Sequence, residues 1–244
     1  MRTRRAVVTG AANGIGRAIA ERLSGDGLEV VGVDREPVAP TSCRHAIDFD
    51  LSRVGDVEGL LVSVEEGIGP VDALVNAAGV NEVLDLSDFS ADVYERVLSV
   101  DLHAPVRLAI AAANAMAGRG YGRIVNVTSI HSRLGERGAL AYDIAKAGMD
   151  QATRTLAVEY SGRGVLCNAV APGFIETRMS IVDGEMETRT ERFRRVYLET
   201  GRLPMGRPGQ PSDVTGMTAW LVSDDNTYIT GQSICVDGGL TATF

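Results

Sequence analysis

The sequence alternates short runs of β-branched residues with longer stretches of helical periodicity, and this alternation constrains the fold more than any other feature. Six short runs are almost continuously apolar, at residues 5–10, 29–34, 72–77, 122–129, 164–172 and 232–239. Amphipathic segments lie between them, at residues 14–24, 52–66, 90–117, 138–161 and 211–223. Strands buried on both faces are typical of parallel sheets covered by helices. With a weaker strand near residues 44–49, the pattern predicts an α/β fold, a doubly wound parallel sheet of about seven strands with helices on both faces.

No repeat, low-complexity tract or Pro/Gly-rich linker divides residues 1–244, so we expect a single domain. Residues 176–206 nevertheless break the alternation with a long, charged connection. Long connections in compact domains are usually functional lids or disordered. Scattered apolar side chains favour a substrate lid, and a solvated excursion is the alternative. These apolar residues are Met179, Ile181, Phe193, Val196, Tyr197, Leu203 and Met205.

Composition excludes several classes of protein. A net charge of -8 argues against a nucleic-acid partner, because phosphate binding needs clustered Lys and Arg. The chain has no run of about 18 consecutive apolar residues and no signal-peptide layout, which predicts a cytoplasmic protein without a membrane span. Cys43, Cys167 and Cys235 lie far apart in apolar surroundings and predict reduced thiols. The three histidines are isolated and lack zinc-ligand spacing, so we expect no metal.

The stretch VVTGAANGIGRAIAERL runs from a predicted strand into a predicted helix and carries Gly10, Gly14 and Gly16. Glycine permits the positive φ of a tight turn, and free N–H groups at a helix start attract an anion such as pyrophosphate. The spacing is G-x-x-x-G-x-G rather than G-x-G-x-x-G. A structural turn without a ligand is therefore the alternative at this point.

Asp34 ends the second predicted strand, eighteen residues after Gly16. A carboxylate at this position accepts hydrogen bonds from the adenosine ribose hydroxyls and repels a 2′-phosphate, so NAD is favoured over NADP. Arg35 would soften that discrimination. Asn13 stands in the glycine loop, where a basic residue would have indicated the phosphorylated cofactor.

Tyr142 and Lys146 stand four residues apart in a predicted helix and so share one face. The alternatives are a solvated surface pair and a reactive pair. A phenol with a pKa of about 10 is too weak a base at neutral pH. The charge of Lys146 would favour the phenolate and lower that pKa.

The ordered set of motifs resembles the short-chain dehydrogenase/reductase family over essentially the whole chain. The motifs are the TGxxxGxG loop, NAAG at 76–79, Ser129, the YxxxK pair, NAVAPG at 168–173 and DGG at 237–239. The resemblance implies a Rossmann-like fold, a nicotinamide cofactor and hydride transfer with Tyr142 as general acid/base. It also implies that Ser129 binds the substrate oxygen, and that helices 90–117 and 138–161 pair across a two-fold axis in a homotetramer, with a homodimer as the alternative.

The resemblance further implies which residues hold the cofactor. Lys146 would bind the nicotinamide ribose and Asp50 the adenine amine, although Asp48 competes for the latter role. The complete expected cofactor-binding set is Gly10, Asn13, Gly14, Ile15, Gly16, Asp34, Asp50, Leu51, Asn76, Ala77, Gly79, Tyr142, Lys146, Pro172, Gly173, Ile175 and Thr177. The expected substrate-facing set is Ser129, His131, Tyr142 and Phe174, with a plain surface histidine as the alternative for His131.

Asp101 departs from the family pattern, which commonly has asparagine there to help hold a water of the proton relay. Asp101 is thus a candidate catalytic residue of altered chemistry. An ionised aspartate has no donor to replace the amide N–H₂ group. Its charge near Lys146 would also tend to raise the pKa of Tyr142 again. We therefore expect activity with an altered pH profile.

These observations predict an NAD-dependent oxidoreductase that interconverts a secondary alcohol and a ketone on a small or medium, possibly cyclic, molecule. One alternative is a 3-oxoacyl thioester (acyl carrier protein) reductase, against which Asp34 counts because such reductases usually take NADPH. A second alternative is a catalytically impaired NAD-binding regulatory protein. Intact Ser129, Tyr142 and Lys146 count against that alternative. Arginines and glutamates offset each other in the 176–206 segment, so the sequence does not select a substrate.

Overall fold

A computed structural model describes residues 3–182 and 184–243 of the chain. Seven strands form one sheet in the order β3-β2-β1-β4-β5-β6-β9, and every neighbouring pair is parallel. The strands are β1 (Arg5–Thr9), β2 (Glu29–Asp34), β3 (His45–Asp48), β4 (Ala73–Asn76), β5 (Gly122–Val127), β6 (Val165–Pro172) and β9 (Ser233–Val236). A separate antiparallel hairpin contains β7 (Ile181–Val182) and β8 (Glu185–Met186). The predicted fold class, including the weaker strand near 44–49, is confirmed.

Helices cover both faces of the sheet and create two apolar cores. They are α1 (Gly14–Gly25), α2 (Val57–Gly67), α3 (Ala91–Leu98), α4 (Ala104–Gly118), α5 (Leu140–Tyr160), α6 (Glu191–Phe193) and α7 (Pro211–Val222). On one face, Ile19 of α1 and Val214 of α7 pack on the sheet. On the other face, Leu60, Leu108 and Leu156 of α2, α4 and α5 do the same. This double cover explains why every residue of β5 is buried.

The strand order reverses at β1, because β2 and β3 lie on one side of it and β4, β5 and β6 lie on the other. In an open α/β sheet, ligands bind in the crevice outside the carboxyl ends of the strands at such a reversal. The glycine loop that follows β1 and the NAAG segment that follows β4 meet at this crevice. The topology therefore places the candidate site before any side chain is considered.

The segment 90–117 is not the single helix that its periodicity predicts. It contains α3, a π-helical turn at Ser99–His103 and α4. Ser90 begins α3 by accepting a hydrogen bond from the Val93 N–H. Single π-turns inside helices are frequent at functional sites, because the extra residue changes which side chains face inward. Here the π-turn carries Asp101, which is 1% exposed.

The 176–206 segment folds into short elements rather than one regular structure: a 3₁₀ turn at Arg178–Ser180, the β7–β8 hairpin, a second 3₁₀ turn at Glu187–Arg189, α6 and a π-turn at Arg194–Leu198. Its apolar side chains divide into two groups. Phe193 and Leu203 are buried against the domain, whereas Met179, Ile181 and Met205 stay exposed. Phe193 and Tyr197 stack with Phe174, with ring centroids 4.7–4.9 Å apart. This stack attaches the segment to the loop after β6.

Three further features concern the expected absences. Cys43, Cys167 and Cys235 are all free thiols, and burial raises the pKa of Cys167 to about 12. Among the described residues, no His, Cys, Asp and Glu side chains group closely enough to hold a metal ion. Within residues 3–182 and 184–243, no helix combines the length and apolarity needed to cross a membrane.

Candidate active site

Two adjoining cavities open at the carboxyl edge of the sheet. The larger has a volume of about 530 Å³ and the smaller about 150 Å³. The glycine loop, the end of β2 and Asp50 line the larger cavity, while Ser129, Tyr142 and Lys146 line the smaller one. Six residues line both: Ile15, Ala77, Gly79, Asn81, Thr177 and Met179. A ligand that fills the larger cavity therefore reaches the wall formed by the reactive side chains.

The glycine loop cannot carry larger side chains at two positions. Gly10 has a φ of +71°, and a Cβ there would lie 2.8 Å from the backbone of Ala78. A Cβ on Gly16 would lie 2.2 Å from the carbonyl oxygen of Gly10. Asn13 precedes α1 but its side chain does not cap the helix, and its amide N–H donates to Glu36 at 3.1 Å. The first N–H groups of α1 are thus left for an anion, and this cradle fits the pyrophosphate of a dinucleotide.

Asp34 is held in a fixed orientation at the larger cavity. Its carboxylate accepts hydrogen bonds from the Ala12 N–H at 3.0 Å and the Glu36 N–H at 2.9 Å. Arg35 lines the same cavity, and Arg178 reaches in from the 176–206 segment to pair with Glu36 at 2.8 Å. Arg178 therefore has Glu36 as its partner, and Arg35 lies between the carboxylates of Asp34 and Glu36 in the sequence.

The structure separates the competing candidates for the adenine end. Asp50 and Leu51 line the larger cavity, whereas Asp48 lies exposed on β3 and outside it. Asn76, expected on the adenosine side, instead lies buried beneath the site. Its amide donates to Asn126 at 2.9 Å and to the Pro105 carbonyl at 3.3 Å. Asn76 ends β4 with its side chain directed into the sheet–helix core, so this side chain does not line either cavity.

The remaining expected cofactor residues lie as follows. Gly14 lines the larger cavity, Pro172, Gly173 and Ile175 line the smaller one, and both cavities are lined by Ile15, Ala77, Gly79 and Thr177. Phe174, expected at the substrate, also lines the smaller cavity. The loops that follow β1, β4, β5 and β6 thus meet around one crevice.

Ser129, Tyr142 and Lys146 come together although two of them lie on a helix and one follows a strand. Ser129 lies two residues after the end of β5, and the other two occupy the first turns of α5. Lys146 Nζ lies 5.2 Å from the centroid of the Tyr142 ring. The Ser129 hydroxyl accepts a hydrogen bond from the His131 N–H at 3.2 Å and lies close enough to Tyr142 to lower the pKa of its phenol. The one-turn spacing on α5 thus brings the ammonium and the phenol to one wall of the cavity.

Asp101 forms a buried ion pair with Lys146, with Oδ2 3.0 Å from Nζ. Its other carboxylate oxygen accepts a hydrogen bond from the Val80 N–H at 2.7 Å. Burial raises the pKa of Asp101, although the nearby ammonium opposes that rise. Burial would lower the pKa of Lys146, but the charge of Asp101, the charge of the Tyr142 phenolate and the hydrogen bond to Asp101 together outweigh it and raise this pKa. Lys146 is accordingly held as an ammonium.

The pKa of Tyr142 is raised, and the causes oppose one another. Burial makes the largest contribution, the Lys146 ammonium lowers the pKa, and the Asp101 charge raises it again. The Ser129 hydrogen bond also lowers it, and Asp143 raises it. Lys146 therefore acts on the phenol in the expected direction, but in the chain alone it does not bring the pKa below the ordinary value.

His131 differs from its expected role at the substrate. It lines the smaller cavity, and its ring lies 5.5 Å from the Tyr142 ring. Both of its nitrogens already contact carboxylates, Nδ1 with Asp143 at 2.6 Å and Nε2 with Glu136 at 3.2 Å. Burial would lower the pKa of His131, but the two carboxylates together raise it. The imidazole therefore joins Glu136 to α5 rather than offering a free nitrogen to a substrate.

Sequence reasoning missed Glu136 and Glu36 as cavity residues. Glu36 connects the glycine loop to the 176–206 segment, and Glu136 lines the smaller cavity beside Glu187. The one available signal for Glu136 is its place in the loop between Ser129 and Tyr142. A carboxylate in a loop bounded by two candidate catalytic residues must lie near both.

Comparisons with known proteins agree with this architecture. A family model described as enoyl-(acyl carrier protein) reductase matches residues 10–241. The chain is 35% identical to a (3R)-3-hydroxyacyl-CoA dehydrogenase of Canis lupus familiaris, over 98% of this chain and 97% of that protein. It is 32% identical to glucose 1-dehydrogenase 2 of Bacillus subtilis, over 97% of this chain and 94% of that protein.

Among solved structures, the chain is similar to a gluconate 5-dehydrogenase from Burkholderia cenocepacia in complex with NADP and tartrate. The TM-score is 0.90 and the identity 29%, with 100% of this chain and 97% of that chain covered. Fold, motif order and these matches lead to one assignment: the chain belongs to the short-chain dehydrogenase/reductase family of oxidoreductases.

Proposed function

We propose that the protein is an NAD-dependent oxidoreductase that interconverts a secondary alcohol and a ketone of a small molecule. The observation that carries this proposal is the convergence of Ser129, Tyr142 and Lys146 on a small cavity that adjoins a dinucleotide-sized one. The relatives act on chemically different alcohols, from hydroxyacyl thioesters to sugars by their names. The reaction type is therefore better supported than the substrate.

Each reactive residue has one task. In oxidation, Tyr142 accepts the hydroxyl proton of the substrate, and in reduction it returns a proton to the carbonyl oxygen. Ser129 hydrogen-bonds the same oxygen and so orients the reacting carbon. Lys146 stabilises the phenolate through its charge, 5.2 Å from the ring centroid. The bound nicotinamide would supply the hydride acceptor or donor.

Asp34 supports NAD as the cofactor. Its two backbone hydrogen bonds hold a carboxylate at the end of β2, where ribose hydroxyls can donate to it. A 2′-phosphate at this position would be repelled by that fixed charge. The repulsion between two unit charges 4 Å apart is about 1–4 kcal/mol. Arg178 is engaged by Glu36 and does not neutralise Asp34 directly. The Burkholderia structure contains NADP, so the choice between cofactors needs a direct test on this chain.

The test compares kcat/KM for NAD and NADP in the wild type and in Asp34→Asn. Asparagine keeps the shape and an acceptor oxygen but removes the charge. We expect the wild type to prefer NAD and the variant to narrow that preference by about tenfold. Asp48→Asn is the control, because Asp48 ends the neighbouring strand β3, lies exposed and lines neither cavity. A wild-type preference for NADP would contradict the proposal.

Tyr142→Phe separates an enzyme from the regulatory alternative. Removal of one hydroxyl should abolish turnover while NAD affinity, measured by fluorescence titration, stays within about threefold. Equal turnover in wild type and variant would exclude the assigned role. The thioester alternative has support in the similarity to the 3-hydroxyacyl-CoA dehydrogenase. Assaying acetoacetyl-CoA beside simple ketones decides between the two substrate classes.

We also propose that the protein is a cytoplasmic homotetramer or homodimer. Ile110 of α4 and Ile144 of α5 are 41% and 39% exposed, and Val158 of α5 is 81% exposed. Exposed apolar side chains on two neighbouring helices suit an interface with a second copy. The free thiols suit a reducing compartment. A mass of 25.8 kDa in light scattering would identify a monomer and contradict the proposed assembly.

A further inference from the structure

The smaller cavity has a second polar wall besides Ser129, Tyr142 and Lys146. Glu136 and Glu187 both line it, and they come from different parts of the chain. Glu136 lies in the loop before α5, and Glu187 begins the 3₁₀ turn after β8. Two carboxylates thus border the space next to the reactive phenol. The proposed reaction leaves them without a role.

Glu136 is fixed in position through His131. Its contact with Nε2 is 3.2 Å, and the other ring nitrogen is anchored to Asp143 of α5 at 2.6 Å. The His131 ring in turn lies edge-on to the Tyr142 ring. One imidazole therefore separates the Glu136 carboxylate from the phenol, and both line the smaller cavity.

Glu187 faces the same space as Glu136. Burial raises the pKa of Glu187, and the charge of Glu136 raises it further, while Arg192 and His131 oppose both. Glu136 and Glu187 are the acidic residues that line the cavity, and His131 and Lys146 are the basic ones, so the wall offers carboxylate acceptors without a large excess of charge of either sign. The two carboxylates accept hydrogen bonds and repel an anion beside them.

The size and the apolar wall of the cavity limit its occupant. A volume of about 150 Å³ is well below that of drug-sized sites and matches a cavity that holds a benzene molecule. Phe174 forms part of the wall, and Phe193 and Tyr197 support it from behind. An apolar ring face can lie on Phe174 while hydroxyl groups at the ring edge meet the carboxylates.

Resting on the proposed function, we infer that the substrate is a small neutral ring alcohol with a second hydroxyl beside the reacting carbon. Glu136 and Glu187 select this substrate by accepting a hydrogen bond from the second hydroxyl. The hydroxyl supplies a donor without charge. A carboxylate at the same ring position would be repelled. An ammonium there would lie close to the His131 imidazolium and the Lys146 ammonium.

Four cyclohexane alcohols test this inference, since they differ only at the neighbouring carbon: cyclohexanol, trans-1,2-cyclohexanediol, trans-2-hydroxycyclohexanecarboxylate and trans-2-aminocyclohexanol. Initial rates of NAD⁺ reduction at pH 7 give kcat/KM for each. We expect the diol to exceed cyclohexanol by about tenfold or more, because hydrogen bonds to charged groups are the stronger ones. The anion and the cation should both fall below the diol.

The double variant Glu136→Gln, Glu187→Gln should reduce the ratio of diol to cyclohexanol by about fivefold and raise the relative rate of the anion. Glu185→Gln is the matched control, because Glu185 is exposed on β8 and lines neither cavity. It should leave all four rates unchanged.

The outcomes separate the inference from the function on which it rests. Equal oxidation of diol and cyclohexanol, or a preference for the anion or the cation, would overturn the inference while the oxidoreductase stands. An unchanged ratio in the double variant would also overturn it. If the wild type oxidises none of the four alcohols, the inference fails, and turnover of acetoacetyl-CoA or simple ketones decides separately whether the proposed function stands.

Discussion

Replacing Asp101 with asparagine should move the pH dependence of alcohol oxidation to lower pH. The phenolate of Tyr142 is the base in that direction, so kcat/KM rises as pH passes the pKa of Tyr142. In the wild type the Asp101 charge raises that pKa. Asparagine removes the charge and keeps an oxygen for the Val80 N–H, so the pKa should fall and the rising limb should appear earlier.

The structure gives the magnitude. Asp101 Oδ2 lies 3.0 Å from Lys146 Nζ, which lies 5.2 Å from the Tyr142 ring centroid. The carboxylate is therefore at most about 8 Å from the ring, where one unit charge at an effective dielectric of about 20 contributes about 2 kcal/mol. That equals about 1.5 pKa units, and full solvent screening would leave about 0.4. We expect a shift of about one unit.

The assay measures kcat/KM for oxidation from pH 5 to pH 10 in wild type and Asp101→Asn. Ketone reduction is the internal check, because it needs the protonated phenol and its falling limb should move down by the same amount. Thermal unfolding controls for stability, since the variant leaves the buried ammonium without its counter-charge. Superimposable profiles, or a shift to higher pH, would refute the electrostatic reasoning.

Two further predictions concern the 176–206 segment. Phe193→Ala removes a ring that is 2% exposed, so denaturant titration should show a free energy of unfolding lower by about 3–5 kcal/mol. Because Phe174 loses its support, the variant should also raise KM more than it lowers kcat. Arg189, Gln210 and Thr188 lower the pKa of Glu176 to about 2 from 4.5. The stabilisation is therefore present above pH 4.5 and lost as pH falls through 2. The free energy of unfolding of Glu176→Gln should be about 1 kcal/mol below that of the wild type at pH 6 and equal to it at pH 2. Equal free energies at pH 6 would contradict the assignment.

The fold was largely predictable because its signal is local and repeated. The strands β1, β2, β4, β5 and β6 are buried along nearly their whole length, because helices cover both sides of the sheet. The π-turn at Ser99–His103 was not predictable from periodicity. The five residues of that turn are too few to show a period of their own, and the inward position of Asp101 depends on contact with Lys146. Tertiary packing, rather than propensity, decides that segment.

The site was predictable where the spacing of a motif fixes the positions of its side chains. It was not predictable where contacts between distant parts of the chain fix those positions. Tyr142 and Lys146 share a helix face, so their proximity follows from the sequence. The contact between His131 and Glu136 depends on the path of an irregular loop, and the approach of Glu187 depends on the fold of the 176–206 segment. Asn76 illustrates a further limit of motifs, since a motif position does not reveal whether a side chain faces the cavity or, as here, the core.

The Asp101–Lys146 pair explains how this chain has a carboxylate where its family commonly has an amide. A buried carboxylate is costly unless it has partners. Asp101 has two, the Val80 N–H and the Lys146 ammonium. Neither partner requires a carboxylate. An asparagine oxygen would accept a hydrogen bond from the same N–H, and Lys146 lies beside Tyr142 whichever of the two residues stands at position 101. Gly79 leaves the necessary space, since a Cβ there would lie 2.9 Å from Asp101 Oδ2. The change from amide to carboxylate therefore keeps the shape of the site but alters the charge that acts on the Tyr142 phenol. The pH dependence of activity is the property that such a change tunes.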